Sequence, residues 1–219
     1  TWLRVTGGSL RVRDKLSYRS AAGEELEEKI TQLRVYSGAR FDTAETLDAG
    51  GKLATPGLVD AHTHLIFGGW RQNELAMKIR NVPYLEILAA GGGILSTVKA
   101  TRAATEEELA AKASAALDEM LSFGTTTCEA KSGYGLNKSE EIKQLRAIKR
   151  ISKEHPMDAV STFMGAHALP PEYKDDREGY LRLLCEEMIP AVAEQKLAKF
   201  CDVFCEADTF TAEEARRIL

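Results

Sequence analysis

The sequence is poor in several features that would narrow its class at once. Its 219 residues include four cysteines, and none of them falls into a paired zinc spacing. Cys201 and Cys205 stand close together, but no histidine or further cysteine lies near enough to complete a site. These two, with Cys128 and Cys185, all sit in apolar segments. Buried free thiols in a reducing compartment are therefore expected, which points to the cytoplasm. No apolar run approaches the ~20 residues that span a bilayer, and the N-terminus lacks a signal-peptide core, so no membrane partner is expected. Positive charge is not in excess: the net charge is −4, with acids and bases interspersed. That leaves no basic face for nucleic acid. Low-complexity tracts are absent.

What remains is ordinary in bulk and informative in detail. Apolar residues make up 44% and charged residues 28%, as in a soluble globular protein. The length suits one larger domain, or a domain with a smaller companion. The chain begins at Thr1 rather than methionine and stops at Leu219 inside an apparent helix, so it reads as an excerpt.

Residues 1–55 read as a small β-rich domain segment. Leu3, Val5, Leu10 and Val12 alternate around Gly7-Gly8, which predicts a short hairpin. The charged stretch 23–29 predicts a surface turn of helix or a loop, 32–36 a strand, and Ala49-Gly50-Gly51 a turn. From residue 56 to 219 strand and helix alternate about four times, the pattern of a parallel sheet with covering helices. Leu58 and Val59 open a buried strand. Thr105 with Glu108 forms a capping-box signature ahead of an apolar stripe, Leu109, Ala113, Ala116, Leu117, Met120 and Leu121, that Gly124 ends. Residues 125–130 are the second strand. Asn137 with Glu140 opens a helix with the stripe Ile142, Leu145, Ile148 and Ile151, and Pro156 lies beyond it. Residues 159–164 make the third strand. A helix bearing Tyr180, Leu181, Leu184, Met188 and Ile189 comes next, which Pro190 kinks or ends. Residues 202–205 make the fourth strand, and Thr211 with Glu214 caps a last helix.

Polar residues gather where these strands stop. His62 and His64 follow the first strand, Lys131 and Tyr134 the second, His167 the third and Glu206 the fourth. In a TIM-type barrel such ends converge on one active site. A doubly wound sheet also fits the alternation, but no Gly-x-Gly-x-x-Gly follows the first strand. The fold expected is therefore α/β, a partial TIM-type (β/α) barrel behind the small β-rich segment. Two imidazoles one residue apart on a strand face the same side and make a candidate half of a metal site.

Longer motifs narrow the reading. Asp60-Ala61-His62-Thr63-His64-Leu65-Ile66-Phe67-Gly68-Gly69-Trp70-Arg71, Ala90-Gly91-Gly92-Gly93-Ile94, Lys131-Ser132-Gly133-Tyr134-Gly135-Leu136 and Gly165-Ala166-His167-Ala168-Leu169-Pro170 together resemble the imidazolonepropionases of the amidohydrolase superfamily. The resemblance runs from about residue 52 onward. It implies a hydrolase of histidine catabolism that opens the ring of 4-imidazolone-5-propanoate to N-formimidoyl-L-glutamate. It implies that His62 and His64 bind one zinc or iron ion, and that Arg71, Tyr134 and His167 contact the substrate, His167 catalytically. A guanidinium can grip the propionate with two parallel hydrogen bonds, a phenol can donate to the same anion, and His167 can bond the ring or the oxygen on which charge develops. The family's remaining ligands, a histidine and a glutamate near the fifth strand and an aspartate from the eighth, have no counterpart here, so the segment alone is expected to be inactive.

Other readings stay open. The chain could be another amidohydrolase, a deaminase or cyclic amide hydrolase, or a non-catalytic barrel scaffold; assembly as a homodimer is also open. Lys131 reads as a strand-end ion pair rather than a metal-bridging lysine, and Glu206 as an ion-pair partner. The triplet Gly91–Gly93, with no Lys-Ser/Thr after it, reads as a tight turn beside the site rather than a phosphate loop. The remaining histidine, His155, reads as solvent-exposed and structural, and Trp70 as packing or a pocket wall.

Overall fold

The computed structural model describes residues 3–6, 9–19, 24–30, 33–37, 40–44, 46–48, 53–83, 86–87, 91–206 and 209–219. Its N-terminal part is a nested set of antiparallel pairs. Strand β1 (Leu3–Thr6) pairs with β8 (Leu53–Pro56), and β2 (Ser9–Arg11) with β7 (Thr46–Asp48). Between them lie two ribbons, β3 (Lys15–Arg19) with β4 (Glu25–Lys29), and β5 (Leu33–Ser37) with β6 (Arg40–Ala44). Two expectations fail here. The stretch around Gly7-Gly8 is not a hairpin, because its two strands take partners more than thirty residues away. The charged stretch 23–29 supplies a strand. Glu25 and Glu27 fall on one face of an exposed two-stranded ribbon, where Glu27 meets Lys15 across the pair at 2.5 Å, and a solvent-exposed ribbon accepts such charge. The expected strand at 32–36 is present as β5. The turn expected at Ala49-Gly50-Gly51 lies outside the described residues.

Four parallel strands come next: β9 (Leu58–Asp60), β10 (Thr125–Lys131), β11 (Asp158–Ala166) and β12 (Phe200–Val203). They pair in chain order, β12-β11-β10-β9, in one curled sheet. Helix α1 (Asn73–Ile79), α2 (Ile94–Ala103) and α3 (Glu106–Ser122) connect β9 to β10, and α4 (Lys138–Glu154) connects β10 to β11. Sequential parallel order with a covering helix at each crossover is the arrangement of a partial (β/α) barrel. The fourth strand starts and stops two residues earlier than expected. Cys205 instead makes an isolated bridge to Phe210.

The helix starts show how far local signals carry. Thr105 and Glu108 form a full capping box, and so do Thr211 and Glu214 at α7 (Ala212–Ile218). Asn137 accepts from the Glu140 N–H, but Glu140 turns its carboxylate to Lys143 instead of closing the box. Between β11 and β12, α5 (Arg177–Arg182) runs through a π-helical turn (Leu183–Met188) into α6 (Ile189–Glu194). Pro190 therefore does not end the helix. It lies two residues past the wider π turn, in a helix that continues through it.

The core fills the space between sheet and helices. Leu109 and Leu117 of α3, Leu145, Ile148 and Ile151 of α4, Phe163 of β11 and Leu184 of the π turn are all buried. Leu58 and Val59 were expected in that core and are not. They are 62% and 67% exposed, because β9 is the rim strand and no described element covers its outer side. Cys128 is buried, Cys185 and Cys201 are half-buried, and Cys205, past the end of β12, is exposed; all four thiols are free. His155 also departs from expectation. Its side chain is mostly buried at the C-terminus of α4, with Nε2 3.2 Å from Asp118 and Nδ1 accepting from the Met157 N–H. No helix among the described residues is long and apolar enough to cross a membrane.

The Tyr180 hydroxyl, fully buried, donates to the Gly165 carbonyl at 2.7 Å. Tyr180→Phe strands that carbonyl and should destabilise the fold by about 1–3 kcal/mol in chemical denaturation, with little change in the slope of the transition.

Candidate active site and metal centre

Parallel pairing brings the C-terminal ends of β9, β10 and β11 to one edge. Beyond β9 the chain stays registered with its neighbour: the Thr63 carbonyl accepts from the Lys131 N–H at 3.1 Å, and the Thr63 hydroxyl donates to the Glu129 carbonyl. His62 and His64 flank this anchor, with ring centroids 5.4 Å apart. His64 stacks on His167 at 4.7 Å, and Tyr134 lies 5.7 Å from His64 and 5.1 Å from His167. Four of the side chains singled out in the sequence therefore form one cluster of rings. Glu206 does not join it. It is exposed and makes no ion pair among the described residues.

Three of these rings, His64, His167 and Tyr134, have pKa values shifted by their surroundings. Burial, then the neighbouring His167 and His62, hold His64 down to about 4, so it is a neutral imidazole at physiological pH. Its Nδ1 is buried and has no hydrogen-bond partner. A neutral imidazole with an unpartnered buried nitrogen suits a zinc or iron ion, so the donor set fits the expected metal as far as it goes. It does not go to completion. Among the described residues no group of three or more histidine, cysteine, aspartate or glutamate side chains is arranged to hold an ion. His167 Nδ1 lies 2.9 Å from the Gly133 carbonyl, which can only accept, so Nδ1 carries the proton. Burial lowers the His167 pKa, leaving Nε2 as a lone-pair acceptor. Of the two uses expected for His167, bonding a ring N–H suits this tautomer, whereas steadying a developing oxyanion would need the imidazolium. Burial raises the Tyr134 pKa against the opposing pull of Arg71, so Tyr134 remains a phenol and can donate.

Arg71 is reached through a tightly held loop. Gly68 passes so close to α2 that a Cβ there would meet the Ala100 carbonyl oxygen at 2.4 Å. The Lys112 ammonium of α3 lies 3.5 Å from the Phe67 ring centroid and 3.9 Å from that of the exposed Trp70, and bonds the Gly69 carbonyl. Trp70 is thus packing for Lys112. The Nε and Nη2 of Arg71 donate to the two carboxylate oxygens of Glu74, each at 2.7 Å. Glu74, buried, also accepts from the Gly93 N–H at 2.7 Å. Gly91 and Gly93 have φ of 81° and 77°, so the glycine triplet is the tight turn expected.

Lys131 is the expected strand-end ion pair, and more enclosed than its sequence position suggests. It is buried, 2.9 Å from Glu129 and 2.5 Å from Asp202 of β12. Sequence reasoning named Glu206 and missed Asp202, Glu129, Glu74 and two polar residues of α4, Glu141 and Gln144, which hold the loop carrying Tyr134. Glu74 carried a usable signal, an acid three residues after the arginine at a helix start.

No family model matches the chain. The imidazolonepropionase of Alkaliphilus metalliredigens is 61% identical over 173 residues, which is 79% of this chain and 41% of that protein. That of Geobacillus thermodenitrificans is 56% identical over 180 residues, 82% of this chain and 42% of that protein. That of Fusobacterium nucleatum is 54% identical over 198 residues, 90% of this chain and 45% of that protein. The chain thus spans less than half the length of these relatives.

The Arg71 guanidinium and the Gly93 N–H hold the Glu74 carboxyl down to about 2, from an ordinary 4.5. A lowered folded pKa stabilises the fold fully above the unfolded value and loses that effect as pH falls through the folded one. The melting-temperature gap between wild type and Glu74→Gln should therefore be constant above pH 4.5 and close between pH 4.5 and about 2. A gap independent of pH would remove the carboxylate's charge from the explanation.

Proposed function

Because the chain is homologous over most of its length to imidazolonepropionases of many bacteria, we propose that it supplies part of a metal-dependent hydrolase of that kind, acting on 4-imidazolone-5-propanoate to give N-formimidoyl-L-glutamate in the cytoplasm. The observation that carries the reading is the convergence of His62, His64, Tyr134 and His167 at one edge of the sheet. In the overall reaction water adds across the ring amide C–N bond. The carbonyl carbon becomes a carboxylate, and the nitrogen stays with the formimidoyl group.

In this reading His62 and His64 hold the ion. When bound, one zinc or iron ion supplies Lewis acidity, lowering the pKa of a water and polarising the ring carbonyl. The residues of this chain do the rest by binding and orientation. Glu74 orients the Arg71 guanidinium, which meets the substrate propionate. The Tyr134 phenol donates to the same anion. The Nε2 of His167, with its proton held on the far side of the ring by Gly133, accepts a ring N–H and sets the face the substrate presents.

Two measurements on the full-length protein test this. Arg71→Met should raise KM for the acid by roughly ten- to hundredfold, the equivalent of one charge-assisted contact, and spare a neutral imidazolone without the propionate. Equal losses on both would remove Arg71 from carboxylate recognition. His64→Ala should abolish stoichiometric zinc or iron by elemental analysis while the fold persists; retained metal would overturn the assignment of His64. The 219-residue chain by itself should show no turnover, since two imidazoles hold a metal weakly.

A further inference from the structure

Residues 132–136 form the loop that carries Tyr134 and, through the Gly133 carbonyl, fixes the proton of His167. The loop is not regular structure: Gly133 and Leu136 have φ of 110° and 53°. What holds it is side chains of helix α4. The Glu141 carboxylate accepts from the backbone N–H groups of Gly133 at 3.0 Å, Gly135 at 2.8 Å and Leu136 at 2.8 Å. It is also bonded by the Ser132 hydroxyl. Of the N–H groups at 133–136, the one that Glu141 does not take, that of Tyr134, goes to Gln144 Oε1 at 3.2 Å. Gln144 then donates from Nε2 to the Ile66 carbonyl at 2.7 Å, tying the Tyr134 loop to the segment after His64. Both α4 side chains are fully buried. On the loop's other side, Arg102 Nε donates to the Gly135 carbonyl at 2.7 Å.

A fully buried carboxylate is costly to keep unless its oxygens are saturated with donors. Among the described residues no lysine or arginine pairs with Glu141. Its donors come instead from the loop, so the carboxylate and the loop conformation depend on each other. We infer that Glu141 is a positioning residue, whose carboxylate fixes the backbone of 132–136 and so aims the Tyr134 phenol and holds the His167 proton on Nδ1. The inference rests on the reading of Tyr134 and His167 as substrate contacts.

The test is Glu141→Gln in the zinc-loaded, full-length protein. The amide keeps the size but turns one acceptor into an NH2 group facing backbone N–H donors, so the loop must shift. Turnover on imidazolone propionate should fall about a hundredfold, as expected for displaced contact groups, with a rise in KM. The long-range 1H–15N spectrum of His167 should change from a single Nδ1-protonated form to a mixture. A purely structural role would lower kcat through lost folded enzyme, leaving KM and the His167 spectrum of the folded fraction unchanged; that result overturns the inference. If Glu141→Gln does not fold, Ser132→Ala removes one donor and leaves three. It should move KM and the His167 spectrum in the same direction by less, and no movement in either again overturns the inference. If the wild-type protein fails to turn over imidazolone propionate but the His167 spectrum still shifts in the variant, the positioning role stands and the assigned function falls.

Discussion

Parallel hydrogen bonding is the constraint on which the site depends. When neighbouring strands run the same way, all their C-terminal ends finish at one edge, and the residues just beyond each strand must meet those just beyond its neighbours. Residues far apart in sequence become adjacent without any direct attraction between them. The same geometry concentrates charge at the ends of the strands. Lys131 stands between Glu129 of its own strand and Asp202 of β12. Burial pulls its pKa down, but the hydrogen bonds to Asp202 and Glu129 outweigh that and hold its pKa above the usual value. An ion pair that links two strands of the sheet is a structural tie as well as a local field.

A second layer lies behind the rings, and it has a repeated design. Glu74, in the first turn of α1, binds the Gly93 N–H and anchors Arg71. Glu141, in the first turn of α4, binds N–H groups around Gly133 and Gly135 and anchors the Tyr134 loop. In both places an acid near a helix N-terminus, where negative charge is favoured, holds a glycine-containing turn: one beyond its helix, at Gly93, and one directly before it, at 133–136. Glycines give the turns their reach, and the carboxylates remove the freedom that glycine brings.

Legibility in the sequence tracked the range of the signal. Strand and helix alternation, the Thr105 and Thr211 caps and the apolar stripe of α4 depend on neighbours a few residues away, and these were readable. The ring cluster was readable because each member comes directly after a strand. Burial was not readable where it depends on what lies outside an element: Leu58 and Val59 have the composition of a core strand but form the rim. The strand at Glu25–Lys29 was misread because its charges suggested solvent, and solvent is compatible with a two-stranded ribbon as well as with a loop. Gln144 and Asp202 escaped because nothing in a mid-helix glutamine or a strand aspartate says which distant group it faces, here the Ile66 carbonyl and Lys131. Glu74 and Glu141 were missed although their partners Arg71 and Gly133 lie within eight residues of them.

The π-helical turn between α5 and α6 carries a consequence for how this protein tolerates insertion and loss of residues. Tyr180, Leu184, Met188 and Val192 recur every fourth position and all are buried. In a regular α-helix a strict four-residue repeat winds steadily off one face, because a turn takes 3.6 residues. A wider turn in the middle of the series winds it back. The segment therefore holds one residue more than a plain helix spanning the same distance, and that surplus keeps Leu184 against Gly165, two residues before His167. A single-residue deletion between Leu183 and Met188 need not break the helix. It would regularise it, and in doing so rotate the downstream half out of phase with the sheet.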